Sequence, residues 1–190
     1  MGEAAKRKAT YEELIAVDDA LLAQIVNGEL VTSPRPATGH AVASSALGVL
    51  IGGPFGFGRG GPGGWWILDE PEMHLGADVL VPDLAGWRRA RLPVVPQAPF
   101  LTLAPDWICE VLSPSTAGLD RVRKLPIYAR EGVSHVWLVD PQARTLEMLR
   151  RHDATWVLAS AFSGDDQVHA EPFGALELEL GALWTGPPPG

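Results

Sequence analysis

Several common chemistries are excluded by what the chain lacks. It has one cysteine, Cys109, in 190 residues. That excludes an internal disulfide and is too few for a structural zinc site, which draws on several cysteine and histidine ligands. No apolar run approaches the roughly 20 residues that cross a bilayer, so no membrane partner is expected. Lys6, Arg7 and Lys8 near the N-terminus have no apolar stretch behind them, unlike a secretory signal, and the cytoplasm is the expected compartment. The patterns H-E-x-x-H, G-x-S-x-G and G-x-x-x-x-G-K-[ST] are absent. Zinc-peptidase, serine-elbow and P-loop chemistry therefore lack support. Positive charge is also scarce: 15 Lys and Arg stand against 23 Asp and Glu, for a net charge of -8. Dedicated nucleic-acid binders usually show the opposite balance.

What remains is a well-cored chain, 46% hydrophobic and 20% charged, of a length that fits one domain. Residues 1–9 read as a disordered polar tail, residues 10–186 as a single domain and residues 187–190 as a proline-rich tail. Thr10, with Glu13 three residues on, makes a capping box for a first helix. Asn27-Gly28 between two short apolar runs is a hairpin turn signal. Thr38 is the expected cap of a second helix over residues 39–51, with Val42, Ala46, Leu47 and Leu50 on its inner face. Residues 52–64 are rich in glycine. Their segment Gly56-Phe57-Gly58-Arg59-Gly60-Gly61 matches G-x-G-x-x-G, but a helix precedes it and a strand follows. A dinucleotide site needs the reverse order, so this segment reads as a connector.

Strands are expected over residues 65–69, 78–81, 84–87 and 107–112. A helix follows over residues 117–130, interrupted at Pro126, which cannot donate to the carbonyl of Val122. Further strands are expected over residues 135–139, 145–150 and 155–161. A helix between two central strands implies a β–α–β crossover in a mixed sheet with helices on both faces, an α/β (α+β) architecture.

Within that sheet Glu110 is the anomaly. It interrupts the apolar run Trp107-Ile108-Cys109-Glu110-Val111-Leu112, which reads as a fully buried strand. An unpaired carboxylate there costs several kcal/mol, so a cation must meet it. Three sets of residues are candidates to converge on it. Asp83 follows Pro82, which holds Val81 extended, and opens an apolar strand; its plainer reading is a turn aspartate. Lys124 lies on the next helix, four residues after Asp120 and on the same face; its plainer reading is a solvated ion pair. Glu70 and Glu72 end the first central strand, where a solvated loop is the plainer reading. Two carboxylates with water in the remaining positions suit Mg²⁺. With a lysine nearby to stabilise phosphate charge, they form the chemistry of phosphodiester hydrolysis. Arg88, Arg89, Arg91, Arg121 and Arg123 flank these acids and read first as a solvated surface.

The strings Val81-Pro82-Asp83-Leu84, Pro105-Asp106-Trp107-Ile108-Cys109-Glu110-Val111-Leu112-Ser113-Pro114-Ser115-Thr116, Asp120, Lys124, Tyr128 and 132–141 resemble the Uma-type restriction-endonuclease family of the PD-(D/E)XK nuclease superfamily. Asn27-Gly28-Glu29-Leu30 and His40 extend the likeness over roughly residues 10–150. The resemblance implies a restriction-endonuclease-like core, a central mixed sheet flanked by helices, preceded here by the N-terminal helix and hairpin. It also implies a Mg²⁺-dependent endonuclease acting on DNA, with Mn²⁺ as a substitute and a homodimer for cutting both strands. Asp83 and Glu110 take the places of the two motif acids, as catalytic residues and metal ligands. The usual lysine position, two residues after the second acid, is Leu112. Lys124 is the expected substitute, with Asp120, Glu70, Glu72 and His40 as auxiliary residues; His40 reads equally as a packed helix residue. The alternative is a catalytically inactive DNA- or protein-binding module on the same fold.

Overall fold

The computed structural model describes residues 7–185. The capping box closes as its spacing requires: Glu13 N–H donates to Thr10 Oγ1 at 3.3 Å and Thr10 N–H to Glu13 Oε2 at 2.8 Å, starting α1 (Tyr11–Ile15). The proposed N-terminal tail lies partly outside the described residues; within them, Ala9 N–H donates to the Gly28 carbonyl. The proline-rich tail at 187–190 lies outside them altogether. Asn27 and Gly28 both take positive φ, 54° and 77°, the conformation a two-residue hairpin needs. They join β1 (Leu21–Val26) to β2 (Glu29–Pro34).

The helix α2 (Thr38–Ile51) departs from expectation at its start and along its inner face. Ala37 is its N-cap and makes no side-chain bond, because Thr38 is already helical. Its buried stripe is Ala43, Leu47 and Ile51, whereas Val42 is exposed. The rotation puts Ala43, Leu47 and Ile51 against the sheet, with Gly48 beside them. A Cβ at Gly48 would stand 3.1 Å from Asp69 Oδ1, so the helix backbone closely approaches the next strand. The π-helical turn Gly52–Gly56 follows.

The chain then lays down β3 (Trp65–Asp69), β4 (Met73–Leu75), β5 (Asp78–Leu80), β6 (Leu84–Arg88) and β7 (Trp107–Val111). A broken helical segment follows: α3 (Ala117–Leu119), a π-helical turn over Asp120–Lys124, and α4 (Leu125–Arg130). The interruption expected from Pro126 is present, with the proline in the first turn of α4. The last elements are β8 (His135–Asp140), β9 (Thr145–His152), β10 (Thr155–Ser163), β11 (Gln167–Val168), β12 (Leu178–Glu179) and a 3₁₀ turn at Leu180–Leu183. β4, β11 and β12, with two or three residues each, are not among the expected strands because they are too short to show a period of their own.

The principal sheet has the order β10-β9-β8-β7-β6-β3. All its pairs are antiparallel except β7–β8, the crossover that α3 and α4 connect. A second sheet, β2-β1-β5-β4, carries the hairpin. Alternation along β7 divides the core. Trp107, Cys109 and Val111 pack with Ala43, Leu47 and Ile51 of α2. Ile108 and Leu112 pack with Ile127 and Tyr128 of α4. Glu110 shares the parity of Ile108 and Leu112, so the strand period aims it at the α4 side.

Candidate active site

Asp83 and Glu110 belong to adjacent antiparallel strand ends. Leu84 pairs with Cys109, and continuing that register by one residue sets Asp83 opposite Glu110, on the same sheet face. Asp83 Oδ2 accepts the Val111 N–H at 2.6 Å, which anchors its carboxylate to β7. Asp83 Oδ1 stands 3.1 Å from His40 Nε2, at the start of α2. Burial alone would lower the His40 pKa, but the hydrogen bond to Asp83 and its charge raise it above the ordinary histidine value. His40 therefore joins the site, although its Nδ1 is buried without a hydrogen-bond partner.

The α4 side supplies the cation. Lys124 Nζ lies 2.7 Å from Glu110 Oε1 and 3.2 Å from Asp120 Oδ1. Lys124 and Glu110 are each only 2% exposed. Pro126 leaves the Val122 carbonyl without its helical donor. The backbone answers with a π turn, in which Leu125 N–H bonds the Asp120 carbonyl. Such turns recur at functional sites because they redirect side chains. Here the turn holds the Lys124 and Asp120 side chains together and delivers the ammonium over β7.

Burial pushes the Glu110 carboxyl up to about 8, with Asp120 and Asp83 adding to the rise and Lys124 opposing it. Burial pulls the other way on Lys124, but Glu110, Asp120 and Asp83 outweigh it, so the ammonium is held charged well above the ordinary lysine value. Tyr128 joins the site without having been expected there. Its hydroxyl donates to Glu110 Oε1 at 2.5 Å. Burial, then Glu110, raises its pKa well above the ordinary tyrosine value, so it stays a neutral donor. The signal was present as Asp120, Lys124 and Tyr128 at intervals of four along one segment.

His40, Asp83, Glu110, Asp120 and Lys124 all line one cleft of about 320 Å³. Its rim comes from the end of the β1–β2 hairpin and from Ser113–Thr116 after β7. Ser113 Oγ lies 3.0 Å from both Ser115 Oγ and Thr116 Oγ1, which orders that rim. Glu70 and Glu72 do not line this cleft. Glu70 is exposed at φ 42°. Glu72 accepts from Tyr11 Oη at 2.8 Å and meets His74 Nε2 at 2.7 Å. Leu112, at the usual lysine position, packs in the apolar cluster beside Ile127.

The donor set fits a hard cation that retains most of its water. Asp83 and Glu110 both line the cleft, and the contacts Glu110 makes to Lys124 and Tyr128 go through Oε1. Among the described residues no group of three or more His, Cys, Asp or Glu could hold a metal. A cation would therefore rest on one or two carboxylates plus water, the habit of Mg²⁺.

Comparison with known proteins gives this site a family. The Uma2 model, described as "putative restriction endonuclease", matches residues 9–182. The chain belongs to the Uma2 family. No curated protein matches it. Among solved structures, a protein from Anabaena variabilis described as "a putative nuclease belonging to DUF820" superposes with a TM-score of 0.69 at 20% identity, covering 90% of this chain and 94% of that one. That likeness supports the mixed-sheet fold expected for a Uma2 chain.

Proposed function

We propose that this Uma2 protein is a Mg²⁺-dependent endonuclease that hydrolyses DNA phosphodiester bonds, with Mn²⁺ able to substitute. The observation that carries the reading is the buried contact between Lys124 Nζ and Glu110 Oε1. It restores the acid–lysine pair of the nuclease motif from a different backbone position. Asp83 and Glu110 would hold the cation through their carboxylates, with water in the remaining positions. A cation so held supplies Lewis-acid polarisation of the scissile phosphate.

The chain's own residues do the rest. Carboxylate neighbours favour the charged form of the Lys124 ammonium, which would place positive charge where negative charge builds on the phosphate. Asp120 keeps that amine from swinging away. His40 neutralises Asp83 while no cation is near, and Tyr128 fixes the Glu110 rotamer. Glu70 and Glu72 take no part in this scheme. A homodimer would present two clefts to two strands, which sedimentation velocity measures directly.

The test is cleavage of plasmid and linear DNA by purified protein with Mg²⁺ or Mn²⁺. Activity is expected in the wild type and is lost in Asp83→Ala, Glu110→Ala and Lys124→Ala. Intact DNA under every metal condition would remove the nuclease reading.

A second reading, an inactive DNA- or protein-binding module, draws on one observation. Asp83 Oδ1 and Glu110 Oε1, which face the site, already hold His40 and Lys124, an arrangement that neutralises the acids without a metal. It predicts binding without turnover, retained equally by the wild type and Glu110→Gln.

A further inference from the structure

The glycine-rich segment is not a loose connector. Three backbone bonds fold it on itself: Phe57 N–H to Gly52 O, Arg59 N–H to Gly53 O and Gly63 N–H to Pro54 O. Gly58 and Gly60 take positive φ, 68° and 75°. A Cβ at Gly61 would stand 2.5 Å from the Pro54 Cβ, so the fold of the loop requires glycine there. The shaped tip presents Phe57, 76% exposed, with the Arg59 guanidinium 5.7 Å from its ring centre.

Two more arginines stand beside it at the end of β6. Arg88 lies over Trp65 at 4.7 Å and Arg89 over Trp66 at 4.0 Å. Arg89 is tied to the loop through the Trp65 and Gly56 carbonyls. Among the described residues no carboxylate pairs with Arg59, Arg88 or Arg89. By contrast Arg91, Arg121, Arg123, Arg130 and Arg150 each hold one. At His135 the arginines meet Glu171, which pairs with both His135 and Arg150. Burial lowers the pKa of that imidazole, and Arg150 and Arg88 lower it further, against Glu171.

A chain of net charge -8 thus leaves three guanidinium groups without a carboxylate around this end of the sheet, each beside an aromatic ring, with Arg89 also bonded to two backbone carbonyls. Arginine edges are suited to phosphate oxygens, and exposed aromatic rings interleaved with arginine suit nucleic acid. The patch also stands at a useful distance from the cleft. Arg88 is five strand residues beyond Asp83, about 16 Å. The loop leaves the far end of α2, about 20 Å along the helix from its start near His40. At about 3.4 Å per base pair that separation spans roughly five or six pairs of duplex.

We propose that Arg59, Arg88 and Arg89 form a phosphate-backbone contact for duplex DNA outside the cleft, gripping the same duplex whose scissile bond reaches Asp83 and Glu110. This rests on the nuclease reading for the identity of the polyanion, and it is tested separately from turnover. Binding of a labelled 30-pair duplex is measured by fluorescence anisotropy in EDTA, over a range of salt. Arg59→Ala/Arg88→Ala is compared with the wild type and with Arg59→Lys/Arg88→Lys; Arg89 is spared because it also braces the loop. The alanine variant is expected to bind every duplex sequence more weakly. Its slope of log affinity against log salt is expected to be shallower by about 1.8, roughly 0.9 per phosphate contact. The lysine variant, which restores the charge, recovers most of that slope. An alanine variant with unchanged affinity and slope overturns the contact, as does wild-type protein that binds no duplex. Arginine-dependent binding without cleavage in Mg²⁺ supports the contact and removes only the nuclease reading.

Discussion

Tyr128 Oη stands 2.5 Å from Glu110 Oε1, the same oxygen that the Lys124 ammonium meets at 2.7 Å. One carboxylate oxygen therefore receives two donors from the helical side, and the other is left toward the cleft. The division follows from parity. Glu110 points at the α4 side of the sheet, and the broken helical segment there carries both donors on one stripe.

Tyr128→Phe deletes one donor with little change of shape. The folded protein is expected to lose roughly 0.5–1.5 kcal/mol, the range for one net hydrogen bond, since Glu110 holds its proton up to about pH 8. If the hydroxyl only packs, nothing beyond stability changes. If it orients Glu110, kcat falls with KM nearly constant, and the metal concentration needed for half-maximal cleavage rises. Denaturant melts and metal-titrated kinetics separate the two outcomes.

Lys124→Met leaves Glu110 and Asp120 buried without their cation. Breaking such a pair from one side costs about 3–5 kcal/mol. Glu110→Gln/Lys124→Met is expected to recover part of that loss, because Glu110 no longer carries a charge while Asp120 stays buried without its cation. Both variants are expected to lose cleavage, by about 10² to 10³ in kcat for removal of a charge stabiliser. Urea midpoints for the single and double variants supply the cycle.

The pH dependence of stability follows from Glu110. Its folded pKa is raised to about 8, so the folded state holds a proton that the unfolded chain has released above the ordinary carboxylate range. Stability from this group is fully present below that range and is lost as pH rises toward 8. His40, also raised, adds a loss in the same direction. Metal-free Glu110→Gln is expected to show a flatter thermal midpoint between pH 5 and 8 than the wild type, with the His40 slope remaining. An equally steep profile in the variant would place the proton elsewhere.

Asp83→Asn keeps an oxygen for the Val111 N–H and removes the charge that meets His40. Stability should change by less than in Lys124→Met. Calorimetric titration with Mn²⁺ is expected to show weaker binding, and the His40 imidazole, without its anion, should titrate at lower pH by NMR.

Much of the site was legible in the chain because its cause is local. A carboxylate inside an apolar strand demands a cation whatever the fold, and Pro126 announces a helix that cannot run straight. The hairpin at Asn27-Gly28 was legible for the same reason, since few residues accept its positive φ. The inner face of α2 was not. Ala43 and Ile51 sit inside and Val42 outside because the sheet's shape, and the close approach at Gly48, choose the rotation. Glu72 likewise looked like a site acid until Tyr11 and His74, distant or local in sequence, were seen to hold it.

The sequence alone determined that Glu110 would be buried and that no lysine follows it on its own strand, since alternation and residue type decide both. It also marked Asp83 and Lys124 as candidates. Only the tertiary structure decided that they share a cleft, that Tyr128 donates to Glu110 behind it, and that the glycine-rich segment is folded on itself rather than slack. Those are statements about distances between segments far apart in the chain, and they depend on strand register, the π turn and the packing of α2, which no local pattern specifies.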